Sequence, residues 1–263
     1  MSSDEPTIGD EPKLKRLLRR TAHAVMRSIL RTRATACPTD TAGITLVIAP
    51  HQDDDVFGCG GLIALRRLAG REVHVVYLTD GSASHPGHPT LTMEMLATQR
   101  AAEARAALRM LGVESTAIHF LGARDGTLNR LAAKDAATLS ESLEKLLREL
   151  RPEEIFLPAG DDGSSEHEAA FRIFTHAHAA SGIHARVREF AIWSWWSPRL
   201  LWRKLRRGQR VSRCEFRGYE FLKARALAAH RSQTEPAPPW DRPVLAPEFY
   251  RMFLAPEEFF FET

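Results

Sequence analysis

The sequence has little of what marks several large classes of protein. It contains three cysteines, Cys37, Cys59 and Cys214, and no C-x-x-C pair, so we expect no disulfide framework and a reducing cytoplasm as its location. No apolar run is long enough to cross a bilayer. The first residues are too acidic and too interrupted for a secretory signal peptide. A formal net charge of +3 over 263 residues gives no reason to expect nucleic-acid binding.

The order of the apolar segments predicts the fold class. Apolar runs of strand length alternate with segments of ten or more residues at helical spacing, which is typical of a parallel sheet covered by helices on both faces. The predicted strands are 44–49, 72–78, 117–121 and 155–158, and the predicted helices are 56–68, 92–111, 132–150 and 166–179. We therefore predict a single three-layer α/β domain over residues 41–263 with a mostly parallel sheet.

The two ends of the chain are less regular. In the last third, 187–196 has the pattern of a strand, 216–231 that of a helix, and the aromatic residues of 247–261 are expected to pack on the domain. Residues 1–40 are predicted to be an extension, with an acidic, disordered start and a basic amphipathic helix over 13–33. This helix has two interpretations: packing on the domain with a solvated basic face, or contact with an anionic membrane or a partner.

A second basic segment, 199–213, follows a cluster of tryptophans. Its arginines and lysine lie near Trp193, Trp195, Trp196 and Trp202 in the sequence. Ordinary core tryptophans beside a solvated basic loop would give this pattern. A surface for a lipid interface or an anionic glycan would give it too.

The most informative segment is Pro50-His51-Gln52-Asp53-Asp54-Asp55, directly after the first predicted strand. Ligands of open α/β sheets bind at the carboxyl ends of the strands. Adjacent carboxylates repel one another unless a cation or strong donors hold them, and His and Asp are ordinary ligands of a hydrolytic zinc. His51 and Asp54 can converge across one turn, and His167, at the start of the helix after the fourth strand, is the best third ligand. We predict a Zn²⁺ site at the C-terminal ends of the strands.

One carboxylate beside the predicted metal is left to act on water. Asp53 is the natural general base, because a neighbouring cation would keep its carboxyl group ionised. Asp55 is expected to orient His51 or the helix N-terminus. On the residues alone, any of the three acids could be the ligand or the base.

The segment resembles the (A/P)-H-P-D-D-E signature of the PIG-L/LmbE-like N-acetylglucosaminyl deacetylase family. Further motifs follow in order, and the resemblance covers about residues 43–235. Residues 121–126 (LGARDG) resemble the LG-x-x-D-G loop, and 165–169 (SEHEA) stand where the family has H-x-D-H-x-A. Residues 100–113 are similar to the family's R-x-x-E…A…LGV helix, and 223–233 to its late K-x-x-A…SQ helix.

The resemblance implies a Rossmann-like domain in which His51, Asp54 and His167 bind zinc and Asp53 is the general base. It also implies three residues on the substrate side. Asp125 matches an acid that contacts sugar hydroxyls. Arg100 matches a family position, although an ion pair with Glu103 or Asp80 would also explain it.

Ser164 is the third residue on the substrate side and a departure from the family. Many members have a histidine there, which stabilises the oxyanion or protonates the leaving amine. Zinc alone could take over the first task, or one of His85, His88 and His230 could reach into the site. A missing oxyanion donor typically lowers the rate by about 100- to 1,000-fold.

The function implied by the resemblance is that of a zinc-dependent hydrolase. Its substrate partner would be an N-acetylglucosamine-type conjugate, deacetylated by a metal-activated water with Asp53 as general base. One alternative is a zinc-dependent amidase or deacylase for a different acyl conjugate, and another is a non-catalytic partner protein. The expected location is the cytoplasm, with peripheral membrane contact if the second interpretation of helix 13–33 holds.

Overall fold

The computed structural model describes residues 13–262 and, within them, all side chains except those of 13–17 and 198. The prediction of disorder for residues 1–11 lies outside this range. The described strands are β1 (Thr35–Ala36), β2 (Thr45–Ala49), β3 (Val73–Thr79), β4 (Ile118–Ala123), β5 (Glu154–Pro158), β6 (Arg186–Phe190), β7 (Arg210–Glu215) and β8 (Glu257–Glu262). The described helices are α1 (Lys13–Arg33), α2 (Asp54–Leu68), α3 (Met93–Met110), α4 (Ala133–Leu150), α5 (Ser165–Ser181), α6 (Trp193–Trp196), α7 (Pro198–Arg206), α8 (Glu220–Ala228), α9 (Arg231–Thr234) and α10 (Pro247–Arg251).

These strands form one sheet in the order β1-β7-β8-β6-β5-β2-β3-β4. Neighbouring strands are parallel, except that β8 runs antiparallel to both β6 and β7. The prediction of a single α/β domain with a mostly parallel sheet is therefore confirmed.

Alternating side chains of the central strand β2 reach the two halves of the core. Val47 and Ala49 lie in a cluster with side chains of α2 and α3, whereas Leu46 and Ile48 lie in a second cluster with side chains of α4 and α5. This two-residue alternation is the normal geometry of a strand. It gives the three layers, with the sheet between two sets of helices.

Glycines let α2 approach the sheet closely. A methyl group added at Gly58 would overlap the ring of Phe190, and one added at Gly61 would overlap the ring of Phe216. The N-terminus of α2, which follows the His51 segment, is therefore held firmly against the carboxyl end of the sheet.

A buried ion pair is inserted into the middle of α2. Glu258 of β8 accepts hydrogen bonds from the backbone N–H groups of Gly61 and Leu62 at 2.7 and 2.9 Å. Lys223 of α8 donates to the carbonyl of Phe57 at 2.8 Å and to Glu258 at 2.7 Å. The two side chains therefore bond to backbone groups that the helical ladder normally uses.

The last third corrects the sequence-based prediction. The predicted strand 187–196 is too long: β6 ends at Phe190, and Trp193–Trp196 form the short helix α6. The predicted helix 216–231 is shorter, with α8 over Glu220–Ala228 and a separate turn of helix, α9. The aromatic segment 247–261 does pack on the domain, as α10 and as β8 in the middle of the antiparallel part of the sheet.

Helix α1 spans the predicted range and packs on the domain. Met26 and Leu30 are buried, and the guanidinium groups of Arg19 and Arg27 lie over the rings of Trp196 and Trp195, 3.5 and 4.7 Å from the ring centroids. The segment after the helix then adds β1 to the sheet beside β7. None of the described helices is long and apolar enough to cross a membrane.

Candidate metal centre and pocket

The residues predicted to form the site meet at the topological switch point of the sheet, where connections lead away from β2 to opposite sides. From β2 the chain continues through α2 to β3 on one side, whereas β5 lies on the other side of β2. The turn between β2 and α2 carries His51 and Asp53, α2 begins at Asp54, and the first turn of α5 carries His167. Loops diverge at such a point and leave a crevice, which is the usual ligand site of an open α/β sheet.

His51, Asp54 and His167 converge closely enough to share one metal ion. One ligand atom from each lies within 4.8 Å of the other two. Asp54 is central: its Oδ2 is 3.1 Å from His51 Nδ1, and its Oδ1 is 3.3 Å from His167 Nε2. Two imidazole nitrogens and a carboxylate oxygen are donors of the type that hydrolytic zinc sites use.

Asp162 fixes the orientation of the His167 ring. Its Oδ2 lies 2.8 Å from His167 Nδ1, and its carboxylate also accepts hydrogen bonds from the backbone N–H groups of Ile192, Trp193 and Ser194 at 3.0–3.2 Å. With a proton on Nδ1, the lone pair of Nε2 faces Asp54. Nε2 is buried and makes no hydrogen bond within residues 13–262, so a cation between these two donors would satisfy both.

Asp125, in the loop after β4, holds the other histidine in the same way. Its Oδ1 is 3.1 Å from His51 Nε2, and its Oδ2 accepts a hydrogen bond from the backbone N–H of Ala83 at 2.9 Å. Glu166 Oε2 is 4.0 Å from the same His51 nitrogen. Asp125 and Glu166 therefore form a second group around His51 that is close enough to hold a cation.

Asp53 lies beside the metal-ligand group but is held by a different partner. Its Oδ1 is 3.2 Å from Nη2 of Arg100, whose Nη1 donates to the carbonyl of Gly81 at 3.1 Å and lies 3.9 Å from Asp125. Burial raises the pKa of Asp53 to about 6, against the opposing effect of the Arg100 charge. The alternative partners Glu103 and Asp80 bond elsewhere, Glu103 to Ser232 and Asp80 to backbone N–H groups.

The electrostatic field of the site favours a positive charge. Burial alone would lower the pKa of each histidine, yet the carboxylates of Asp54 and Asp162 raise the pKa of His167 to about 10. Asp125 and Asp54 likewise raise the pKa of His51 well above its ordinary value. The environment that stabilises a proton on these rings would equally stabilise a bound metal ion, so the residues fit a divalent cation.

A half-open pocket lies over this centre. Its polar side includes His51, Asp53, Asp54, Arg100, Asp125 and Glu166. The apolar wall of the pocket comes mainly from the last third of the chain: Phe57, Ile192, Trp193, Val244, Leu245 and Phe249. A substrate would thus meet both the carboxylates and imidazoles and an aromatic wall.

Ser164 and the three alternative histidines lie outside the lining of this pocket. Ser164 is buried at the N-terminus of α5 and accepts a hydrogen bond from the backbone N–H of His167 at 3.5 Å. His85 stacks on Trp240, with ring centroids 5.2 Å apart. His230 is buried, and burial lowers its pKa to about 3. A direct role for Ser164 in substrate binding stays a prediction.

Two further acids, Asp55 and Asp162, differ in how clearly the sequence indicated that they belong to the site. Asp55 is buried next to Tyr77, and burial raises the pKa of its carboxyl group to about 7. Asp162 was not singled out from the sequence. Its signal was available, since the Asp161-Asp162 pair follows β5 at the same edge of the sheet as His167.

Comparisons with known proteins identify the family of the chain. The sequence profile of the PIG-L family, described as GlcNAc-PI de-N-acetylase, matches residues 46–178, about half of the chain. This range includes the predicted ligands and base. The chain therefore belongs to the PIG-L family: it is a metal-dependent deacetylase of that family, a hydrolase that acts on amide bonds. No curated protein matches the sequence.

Several solved structures share the fold. The N,N'-diacetylchitobiose deacetylase of Pyrococcus horikoshii is 22% identical with a TM-score of 0.58, over 86% of this chain and 82% of that one. A deacetylase of teicoplanin biosynthesis is 18% identical with a TM-score of 0.57, over 73% and 85% of the two chains. The 4-carboxy-2-hydroxymuconate hydratase GalB of Pseudomonas putida KT2440 is 20% identical with a TM-score of 0.57, over 73% and 80%. At such identities the likeness concerns the fold alone.

Proposed function

We propose that this protein removes the acetyl group from an N-acetylglucosamine-type conjugate, with Zn²⁺ held by His51, Asp54 and His167 and with Asp53 as general base. The observation that carries the proposal is the convergence of three metal donors next to a carboxylate that is held by Arg100. A zinc ion at this position would polarise an acyl carbonyl as a Lewis acid and lower the pKa of water to about 7.

We assign the proton transfers of the reaction to Asp53. It lines the pocket, and the contact of Oδ1 with Arg100 fixes the carboxylate. In the proposed reaction, water adds to the acetamide carbonyl carbon while Asp53 takes one of its protons. The C–N bond then breaks, acetate leaves, and the proton passes to the departing amine.

The remaining polar groups would orient the substrate and the ligands. Asp162 and Asp125 hold the two imidazole rings, so that each presents its other nitrogen to Asp54. We keep Asp125 and Arg100 as the groups predicted to meet the sugar, since both line the pocket. The name of one structural relative, a diacetylchitobiose deacetylase, supports an N-acetylated sugar as the first substrate class to test.

The cellular compartment is also part of the proposal. Cys37, Cys59 and Cys214 are buried and free, which is what a protein of the reducing cytoplasm would show. A different acyl conjugate remains the main alternative, because the centre is built to recognise an acyl carbonyl and the teicoplanin deacetylase has the same fold. A non-catalytic partner protein would have no need of Asp53 beside a metal centre.

The test is acetate release by the zinc-loaded protein from free, nucleotide-linked, inositol-linked and lipid-linked N-acetylglucosamine. We expect at least one conjugate to be deacetylated, and we expect Asp53→Asn to abolish release while zinc stays bound. Asp135→Asn is the control, because Asp135 is an exposed acid of α4 outside the pocket lining. Release that persists in Asp53→Asn would remove Asp53 from the role of base, and no release from any conjugate would favour another acyl substrate.

A further inference from the structure

Two basic helices outside the part of the chain matched by the family profile lie side by side. Near its N-terminal end, α1 places Arg19 over the ring of Trp196, just before α7 begins. At the other end, Arg33 of α1 donates to the carbonyl of Leu205 in α7 at 3.3 Å. The two helices therefore run in the same direction as neighbours on the surface. Neither of them contains an aspartate or a glutamate.

Most of the cationic side chains on this surface are used inside the fold. Arg27 and Arg31 pair with Glu257, and Arg203, Lys204 and Arg207 pair with Asp161. Three others, Arg20, Arg199 and Arg206, are exposed and form no ion pair within residues 13–262. The surface therefore has cationic groups without acidic partners in the described part of the chain.

Exposed apolar side chains lie on the same two helices. Trp202 of α7 is 48% exposed, and Arg199 and Arg206 are three residues before it and four residues after it, on the same side of the helix. Leu18 and Val25, seven residues apart on one side of α1, are 61% and 53% exposed. A tryptophan flanked by arginines on an amphipathic helix is typical of a surface at the level of lipid headgroups.

This surface lies close to the apolar wall of the pocket. The ring of Trp196, under Arg19, is 5.8 Å from that of Phe249, and the ring of Trp193 is 5.0 Å from Phe249. Trp193 and Phe249 both line the pocket. A molecule docked on the two helices would therefore lie next to the apolar wall of the pocket.

We infer that the face formed by Leu18, Val25, Arg199, Trp202 and Arg206 binds anionic lipid headgroups and holds the protein at a bilayer surface. The arginines pair with phosphate and carboxylate groups, while Trp202, Leu18 and Val25 enter the interfacial layer. A nucleic acid would satisfy the arginines but not the exposed leucine and valine, so the lipid surface is the better match. The inference does not depend on which acyl conjugate is hydrolysed.

The experiment is sedimentation of the full chain with vesicles of phosphatidylcholine alone or with 30% phosphatidylserine. We expect binding to the anionic vesicles that weakens as salt is raised. Each arginine near an anionic surface contributes about a fivefold change in affinity, so Arg199→Gln with Arg206→Gln should weaken binding by roughly 25-fold. Trp202→Phe should reduce the blue shift of tryptophan emission on binding.

The matched control is the double variant Lys134→Gln with Arg172→Gln. It replaces two exposed cations on α4 and α5, which cover the opposite face of the sheet, and it should leave vesicle binding unchanged. All substitutions are at exposed positions, and a thermal melt checks that each variant is folded. Equal binding to neutral vesicles, no binding to anionic vesicles, or an equal loss in the control would overturn the inference. Binding to a DNA duplex in place of vesicles would overturn it in favour of a nucleic-acid surface.

Discussion

Replacing Asp162 with asparagine should weaken metal binding although Asp162 is not itself a predicted ligand. Its two oxygens accept from His167 Nδ1 and from the backbone N–H groups of Ile192, Trp193 and Ser194. An asparagine has one acceptor oxygen and one amide nitrogen. The least costly orientation keeps the oxygen towards His167 and Trp193, and it turns the NH₂ group towards the N–H of Ser194.

The expected magnitude follows from these contacts. A buried N–H without an acceptor costs about 1–3 kcal/mol, and the lost charge weakens the remaining bonds, so we expect about 3 kcal/mol of destabilisation. Loss of a carboxylate that orients a metal-ligating histidine typically lowers metal affinity by about 10- to 100-fold. The assay is competition for zinc with a chromophoric chelator, together with a urea titration of the free energy of unfolding.

A neighbouring acid provides the control. Asp161 pairs with Lys204 and Arg207 and does not contact His167, so Asp161→Asn should leave zinc affinity unchanged. If Asp162→Asn bound zinc as tightly as the wild type, Asp162 would not orient His167. Equal losses of affinity in the two variants would indicate a general effect of charge instead.

Two further predictions concern stability. Burial lowers the pKa of His23 to about 4, below the ordinary 6.5. The free energy of unfolding should therefore fall as the pH drops from about 6.5 to 4, because only the unfolded chain takes up the proton in this range. His23→Gln should show a smaller loss of Tm between pH 7 and 5, and an unchanged loss would contradict this. Lys223→Met should destabilise the fold by about 3–5 kcal/mol in a urea titration, because Glu258 is left charged and buried. Adding Glu258→Gln should recover part of this loss, whereas simply additive losses would show that the two side chains are not coupled.

The central part of the fold was predictable because its signals are local. Strands β2, β3 and β5 are buried along their whole length and have mostly apolar sequences. The intervening helices repeat apolar residues at helical spacing. In a parallel sheet, the carboxyl ends of such strands must meet at one edge, so His51 and His167 could be brought together from sequence order alone.

The last third could not be read in this way. Charged residues interrupt its strands, with Arg186, Arg188 and Glu189 in β6 and Glu257 and Glu258 in β8, and this obscures the two-residue period. These charges are acceptable because partners from distant parts of the chain neutralise them, as Lys223 does for Glu258. The insertion of β8 between β6 and β7 likewise depends on pairing across long sequence separations, which no local pattern encodes.

The residues that orient the metal ligands also could not be predicted from local sequence. The sequence predicted ligands and a base, but the partners that orient the ligands come from other loops. Asp162 is held by the backbone of 192–194, which could be placed only once the turn into α6 was known. Arg19 and Arg27 stack on tryptophans. The sequence did not indicate this packing, because the spacing of the two arginines on α1 matches that of a solvated basic face.

The most direct test of the account is the amount of zinc that each chain retains. Wild type and His167→Ala would be loaded with zinc, passed through a desalting column and analysed for metal by mass spectrometry, with His178→Ala of the same helix as control. We expect one tightly held zinc ion per wild-type and control chain, and loss of that ion in His167→Ala. Full zinc retention in His167→Ala, or no zinc retention in the wild type, would contradict the predicted metal centre and the reaction that depends on it.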